Sequence, residues 1–213
     1  MPDTFGLYLV LTDPVAGYEA CAEAAVEEGV RYLQLRMKKR ARGEVLETAR
    51  RLRSITAGSG TRFIVNDDVD IAAEAGADGV HLGQDDMTIA EARERWPEAG
   101  KIFGLSTHNE AQELRAREVA PDYIGVGPVF ATPTKEKPDP SLGPERMGRI
   151  IRGSPLTTVA IGGINTDNLA EVLRQGAVNY CVVRAVTQHP DPRAAVRRLR
   201  EIDREFLRRT AMP

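Results

Sequence analysis

Four segments of this chain repeat one pattern, in which an amphipathic stretch ends near a glycine or proline and passes into an apolar run. They are EEGVRYLQLR (27–36), EAGADGVHLG (74–83), EVAPDYIGVG (118–127) and RQGAVNYCVV (174–183). A recurring unit of this kind is typical of folds that use one supersecondary element several times. The repeat therefore predicts a chain built from successive helix-to-strand units.

Four further short apolar runs lie between the repeats, namely LYLVLTD (7–13), TRFIVND (61–67), KIFGLST (101–107) and TTVAIGG (157–163). Helical periodicity fills the gaps, as in residues 44–58, where apolar side chains recur at three- and four-residue steps. The strands are continuously apolar, as expected for a parallel sheet covered by helices. Eight such units predict a (β/α)8 barrel, also called a TIM barrel; the alternative is an open doubly wound sheet, which usually needs only five or six strands.

The composition sets limits on partners. The 213 residues are 42% hydrophobic and 28% charged, and no low-complexity linker divides them, which predicts one domain over residues 1–213. Lys and Arg total 29 against 31 Asp and Glu, so charge gives no reason to expect nucleic acid. Cys21 and Cys181 offer neither a disulfide framework nor a metal-ligand spacing. With no export signal or membrane span recognisable, we expect a cytoplasmic protein.

The arginine-rich stretch 191–210 has two interpretations. Basic helices can bind nucleic acid or membranes, but here Glu201, Asp203 and Glu205 interleave with the arginines and apolar residues recur at near-helical steps. This pattern favours an outer helix of the barrel.

The active site of such a barrel lies at the carboxyl ends of its strands. Candidate site residues at those ends come from seven of the eight strands, polar in all but the two glycines: Gln34, Arg36, Lys38, Asn66, Asp67, His81, Gln84, Asp85, Asp86, Ser106, Thr107, His108, Thr132, Thr134, Lys135, Gly162, Gly163 and Arg184. Any single Lys or Arg beside an Asp is better explained by a structural ion pair. Their convergence from so many strands instead predicts a site for an anionic, phosphorylated substrate.

Two charge patterns sharpen this hypothesis. Arg36 and Lys38 point to the same side of a strand end and, with Lys135, suit a diphosphate. Carboxylates with few nitrogen ligands favour Mg²⁺, with Asp67 and Asp86 best placed to hold it. The stretch IGGIN (161–165) permits either a second phosphate site or a tight turn that needs positive φ, and both interpretations stay open.

Together these residues carry a family resemblance. The motifs YLVLTD, LQLRMK, FIVNDDVDIA, GADGVHLGQDDM, GLSTHN, DYIGVGPVFATPTK and VAIGGI resemble those of the thiamine phosphate synthases, over nearly the whole chain. The resemblance implies a (β/α)8 transferase that joins 4-amino-5-hydroxymethyl-2-methylpyrimidine diphosphate to 4-methyl-5-(2-phosphooxyethyl)thiazole with Mg²⁺. The implied products are thiamine phosphate and diphosphate, formed through a pyrimidine methyl cation that needs no protein nucleophile.

The resemblance also implies residue roles. Gln34, Arg36, Lys38, Asn66, Ser106 and Lys135 correspond to the pyrimidine diphosphate site, with Arg36, Lys38, Ser106 and Lys135 as the catalytic set. Asp67 and Asp86 correspond to magnesium ligands, and Thr132, Pro133, Thr134, Gly163, Val183 and Arg184 to the thiazole phosphate site. Arg184 departs from the serine common in the family, and GAVN (176–179) from the frequent GADG.

The two histidines at the strand ends and the long stretch after the sixth strand are expected to have supporting roles. His81 is expected to be a packed or hydrogen-bonded core residue, and His108 to orient a loop. The long stretch FATPTKEKPDPSLG (130–143) is expected to form a lid, with residues 136–143 as a mobile cover. The alternatives are a related thiazole tautomerase and a non-catalytic barrel that binds a phosphorylated ligand. A homo-oligomer is possible.

Overall fold

The computed structural model describes residues 3–134 and 139–210, which form a closed barrel of eight parallel strands in sequence order. The strands are β1 (Gly6–Leu11), β2 (Tyr32–Leu35), β3 (Arg62–Asn66), β4 (Gly79–Leu82), β5 (Ile102–Thr107), β6 (Tyr123–Val126), β7 (Thr158–Ala160) and β8 (Asn179–Val182). β1 pairs with β8 in parallel, with Tyr8 opposite Cys181, and this pairing closes the barrel. The predicted (β/α)8 fold is confirmed, and the open sheet is excluded.

The helices alternate with the strands and surround them. They are α1 (Tyr18–Glu27), α2 (Arg42–Thr56), α3 (Val69–Glu74), α4 (Ile89–Arg95), α5 (Glu110–Val119), α6 (Pro144–Gly153), α7 (Leu169–Arg174), α8 (Arg184–Thr187) and α9 (Pro192–Thr210). Local sequence fixes several of their starts. A capping box joins Thr88 and Glu91 at α4, and Asp68 caps α3 by accepting a 2.8 Å hydrogen bond from the amide of Ile71.

The barrel wall is buried on both faces, which explains the continuously apolar strands. Alternate residues such as Leu7, Leu9 and Leu11 of β1 pack outward against the helices. The intervening Tyr8 and Val10 point inward, into an interior cluster with residues of β2, β3, β6, β7 and β8. Because both faces are apolar, the sequence shows little of this alternation.

Asn179, the first residue of β8, links that strand to the start of β1 and to β7. Its side chain is buried and accepts hydrogen bonds from the amides of Phe5 (2.7 Å) and Gly6 (3.1 Å). It donates to the carbonyls of Asp3 (2.9 Å) and Thr158 (3.1 Å). In two other repeats Asp78 and Asp122, just before β4 and β6, accept from the amides of Phe63 and Phe103 on the preceding strand, whereas Asn179 accepts from β1 on its other side.

The arginine-rich segment forms α9, an outer helix of the barrel, as predicted. Ala195, Val196 and Leu199 are buried against the core, and Arg197 donates a 2.8 Å hydrogen bond to Glu28 on the neighbouring turn. Within the described residues, no helix is long and apolar enough to cross a membrane.

Candidate active site

A cleft of three connected hollows lies at the carboxyl ends of the strands. The central pocket is lined by residues that include Gln34, Arg36, Asn66, His81, Ser106, Thr132, Thr134 and Val183. On one side it shares Arg36, Asn66 and Ser106 with an acidic hollow that also contains Lys38, Asp67, Gln84 and Asp86. On the other side it shares Thr132, Thr134 and Val183 with a glycine hollow that also contains Pro133, Gly163 and Arg184.

This arrangement brings together the residues that the sequence singled out. Of the predicted site residues, the following line the cleft: Gln34, Arg36, Lys38, Asn66, Asp67, Asp86, Ser106, Thr132, Pro133, Thr134, Gly163, Val183 and Arg184. Lys135 lies outside the described residues, so its predicted role stays a prediction.

In the acidic hollow, two carboxylates and one ammonium group meet. Lys38 forms an ion pair with Asp67, and Asp86 accepts a 2.7 Å hydrogen bond from the amide of Gly83. Burial raises the pKa of Asp67 above its usual value, and the negative charge of Asp86 raises it further, whereas Lys38 opposes the shift. The hollow therefore concentrates negative charge that a cation would relieve.

The backbone at Asp67 has an unusual conformation. Its φ is 65°, in the left-handed region, where Asp is tolerated better than most side chains. The amide of Asp67 donates a 2.8 Å hydrogen bond to the carbonyl of His81 on the next strand. Backbone strain of this kind is found at functional sites, and here it turns the carboxylate into the cleft.

The donor set fits magnesium. Mg²⁺ is usually held by one or two carboxylates together with waters and phosphate oxygens, and Asp67 and Asp86 supply two carboxylates in one hollow. Among residues 3–134 and 139–210 no group of three or more His, Cys, Asp or Glu side chains could hold a metal ion, so an ion on Asp67 and Asp86 would take its other ligands from water and substrate.

Arg36 lies between the acidic hollow and the central pocket. Burial lowers the pKa of its guanidinium, and the carboxylates of Asp67 and Asp13 oppose that shift. Arginine nevertheless stays protonated in proteins, because its ordinary pKa is so high. The cleft thus has a half-buried permanent cation beside its carboxylates.

The glycine hollow requires glycine for two reasons. Gly162 and Gly163 have φ of 102° and 67°, values that favour glycine. A Cβ at Gly163 would also lie 2.7 Å from Cβ of Phe130 and 2.9 Å from the carbonyl oxygen of Ala131, so it would not fit. The tight-turn interpretation of this motif is therefore correct, and the same turn leaves the Gly163 backbone lining the hollow.

The opposite wall of the glycine hollow consists of the stretch after β6. The hydroxyls of Thr132 and Thr134 lie 3.0 Å apart on either side of Pro133. Arg184, exposed at the start of α8, is among the residues that line the hollow. Cys181 also lines it, but burial raises the pKa of its thiol, so no thiolate is available.

Both histidines behave as the sequence predicted. His81 is 7% exposed, with Nδ1 3.0 Å from the Tyr123 hydroxyl and Nε2 2.9 Å from Ser106 Oγ. His108 orients its loop, with Nδ1 2.6 Å from the carbonyl oxygen of Gly127 and Nε2 3.4 Å from Asp139. Although His81 and Ser106 are in contact, a tyrosine replaces the carboxylate of a Ser–His–Asp triad.

The structure differs from the expected mobile cover at one end. Leu142 is buried, its amide donates a 2.8 Å hydrogen bond to the carbonyl of Pro128, and the amide of Gly143 bonds Val129 at 3.0 Å. These backbone bonds attach the C-terminal end of residues 136–143 to the barrel. Residues 135–138 lie outside the described residues.

Sequence reasoning missed two inner residues, Tyr8 and Tyr123. Their hydroxyls lie 2.8 Å apart, and Tyr8 accepts a 2.8 Å hydrogen bond from Nε2 of Gln34. Gly104 makes room for the Tyr123 ring, since a Cβ there would lie 2.2 Å from it. That glycine, inside an otherwise apolar strand, was the available signal of a large side chain facing it.

Comparison with known proteins agrees with the site. Residues 7–186 match the family described as thiamine monophosphate synthase. The chain is 41% identical to a thiamine-phosphate synthase of Archaeoglobus fulgidus over 97% of both chains, and 42% identical to one of Chloroflexus aurantiacus over 87% of this chain and 85% of that one. A solved thiamine phosphate pyrophosphorylase of Pyrococcus furiosus superposes with a TM-score of 0.86 at 34% identity, covering 95% of this chain and 97% of that one. The motifs, the barrel and the cleft thus lead to one assignment: this chain belongs to the thiamine-phosphate synthase family.

Proposed function

We propose that the protein condenses 4-amino-5-hydroxymethyl-2-methylpyrimidine diphosphate with 4-methyl-5-(2-phosphooxyethyl)thiazole, giving thiamine phosphate and diphosphate in thiamine biosynthesis. The observation that carries the proposal is the order of the three hollows. A hollow with cations and carboxylates lies at one end, a glycine hollow with Arg184 at the other, and the less polar central pocket between them. A diphosphate and a phosphate on two small rings match this order.

In this proposal the acidic hollow holds the leaving group. Arg36 and Lys38 supply positive charge there, and charge neutralisation at a departing diphosphate lowers the barrier to its release. Asp67 and Asp86 would hold Mg²⁺, which when bound would offset further diphosphate charge. Asn66 and Ser106, which line both the acidic hollow and the central pocket, orient the pyrimidine end.

The remaining steps need no protein nucleophile. Departure of diphosphate breaks the C–O bond and leaves a pyrimidine methyl cation, which the electron-rich amino ring stabilises. The thiazole nitrogen then donates its electron pair to form the new C–N bond. The glycine hollow would fix the thiazole phosphate on the Gly163 backbone and Arg184, so that the two rings meet in the central pocket.

The test is product formation from the two substrates with Mg²⁺, measured as thiamine phosphate and diphosphate. We expect both products in equal amounts. Asp67→Asn and Asp86→Asn should each lower kcat/KM by about a hundredfold or more, because each removes a proposed metal ligand. Asp85→Asn is the matched control, since Asp85 lines the same hollow but is not a proposed ligand.

Two results would contradict the proposal. Well-folded protein that gives no product would exclude the synthase. Conversion of the thiazole phosphate alone would then indicate the tautomerase, and binding without conversion would indicate the non-catalytic barrel. Full activity of both Asn variants would exclude the metal site. Cytoplasmic location and a homo-oligomeric state are further proposals, which cell fractionation and light scattering would test.

A further inference from the structure

A chain of hydrogen bonds, buried except at its partly buried Ser106 end, crosses the barrel interior beneath the cleft. It runs from Gln34 through Tyr8, Tyr123 and His81 to Ser106, with successive distances of 2.8, 2.8, 3.0 and 2.9 Å. The five residues come from five strands, β2, β1, β6, β4 and β5. Only the two ends, Gln34 and Ser106, belong to the proposed substrate-binding set.

The donor-to-acceptor direction along this chain of hydrogen bonds follows from its first member, Gln34. Gln34 offers Nε2 to Tyr8, and an amide nitrogen can only donate. Tyr8 therefore accepts, which leaves its own hydrogen to donate to Tyr123, and Tyr123 in turn donates to Nδ1 of His81. Burial raises the pKa of both tyrosines well above that of a free phenol. Each hydroxyl therefore stays protonated and can donate the next hydrogen bond.

The same direction fixes both ends. A neutral His81 that accepts at Nδ1 carries its hydrogen on Nε2, from which it donates to Ser106 Oγ. The Ser106 hydroxyl hydrogen and the side-chain Oε1 of Gln34 are then available to a ligand in the central pocket, which both residues line. In a serine nucleophile paired with a histidine base the polarity is the reverse.

We infer that Tyr8, Tyr123 and His81 are positioning residues that hold Gln34 Oε1 as an acceptor and the Ser106 hydroxyl as a donor toward the substrate. The ligand class that fits is a heteroaromatic ring with an exocyclic amino donor beside a ring-nitrogen acceptor. A 4-oxo pyrimidine presents the opposite pattern at those atoms and would leave buried polar groups unpaired. The chain would thus select an aminopyrimidine over its oxo analogue. The ligand assignment rests on the proposed function, whereas the direction of the chain does not.

The first experiment measures the His81 tautomer directly. Two-bond ¹H–¹⁵N correlation spectra of the protein without ligand, assigned with a His81→Gln variant, should show a neutral imidazole protonated on Nε2. A hydrogen on Nδ1 would overturn the inferred direction. This readout stands even if the protein fails to make thiamine phosphate, so the two failures are distinguishable.

The second experiment measures selectivity. Tyr8→Phe frees the Gln34 amide to rotate, so kcat/KM for the pyrimidine diphosphate should fall about tenfold. The preference for the amino over the oxo substrate should fall by a similar factor, and KM for the thiazole phosphate should stay within about twofold. Tyr32→Phe is the control, because Tyr32 packs in the same ring cluster, 5.4 Å from Tyr8, outside the chain. Equal selectivity in wild type and Tyr8→Phe, or an equal loss in Tyr32→Phe, would overturn the proposal.

Discussion

Lys38 forms an ion pair with Asp67, so the ammonium group occupies the carboxylate that we propose as a magnesium ligand. The Lys38 ammonium group and Mg²⁺ would therefore compete for the Asp67 carboxylate while no substrate is bound. Once a diphosphate entered, Lys38 could bind it and leave the carboxylate to the metal. The pair would thus hold the hollow together before the reaction.

Lys38→Gln should separate the two roles of this lysine. Removing a half-exposed ion pair should raise Mg²⁺ affinity about two- to fivefold in the absence of substrate, measured by titration calorimetry. The same change should lower kcat/KM for the pyrimidine diphosphate by about a hundredfold, because a cation at the leaving group is lost. Arg40→Gln is the control, since Arg40 pairs with Asp13 and Glu44 instead. Unchanged Mg²⁺ affinity in Lys38→Gln would contradict the competition.

Arg184 tests the departure from the family pattern. If its guanidinium binds the thiazole phosphate, Arg184→Ser should raise KM for that substrate about tenfold or more, with kcat within about twofold. Arg208→Ser, at the far end of α9, should change neither constant. A lower KM in Arg184→Ser would mean that the arginine obstructs the hollow.

Gly163→Ala should damage the glycine hollow specifically. The new Cβ would push against Phe130 and Ala131 in addition to straining the backbone, so KM for the thiazole phosphate should rise about tenfold. Gly58→Ala supplies the comparison, because Gly58 also has positive φ (73°) but no atom within 4 Å of an added Cβ. It should cost about 1 kcal/mol of stability and leave KM unchanged. Equal KM in both variants would show that the hollow does not hold the phosphate.

Asn179→Ala should destabilise the barrel without altering the chemistry. It leaves the amides of Phe5 and Gly6 without their hydrogen-bond acceptor, which should lower the free energy of unfolding by about 2 to 3 kcal/mol in urea titrations. Activity per folded molecule should be unchanged, because Asn179 starts β8 at the end of the barrel opposite the cleft. Val178→Ala, at the exposed neighbouring position, should change stability by no more than about 0.5 kcal/mol. Similar stabilities for the two variants would show that the tether contributes little.

The sequence predicted the barrel, the family and the residues around the cleft because each depends on local patterns. Asn66, Asp67 and Ser106 follow recognisable apolar strands, and the carboxyl ends of parallel strands meet at one rim. The inner chain was not predictable in this way. In LYLVL, both faces are apolar, so nothing marks Tyr8 as inward-facing, and its partner Tyr123 lies 115 residues further along the chain. The sequence also could not decide between the two interpretations of the Gly162–Gly163 turn. Only the structure shows that Phe130 approaches Gly163 too closely for a side chain.

The excursion after β6 leaves and returns to the barrel at nearly the same place. The amides of Val129 and Phe130 bond Ile161 and Gly162, and those of Leu142 and Gly143 bond Pro128 and Val129. Because its two ends are held together by backbone, a change in the length of the intervening segment costs mainly loop-closure entropy, about 0.6 kcal/mol for each doubling. The length of this excursion should therefore have little effect on the stability of the barrel, whereas Thr132 and Thr134, near its start, line the cleft and are tied to the chemistry.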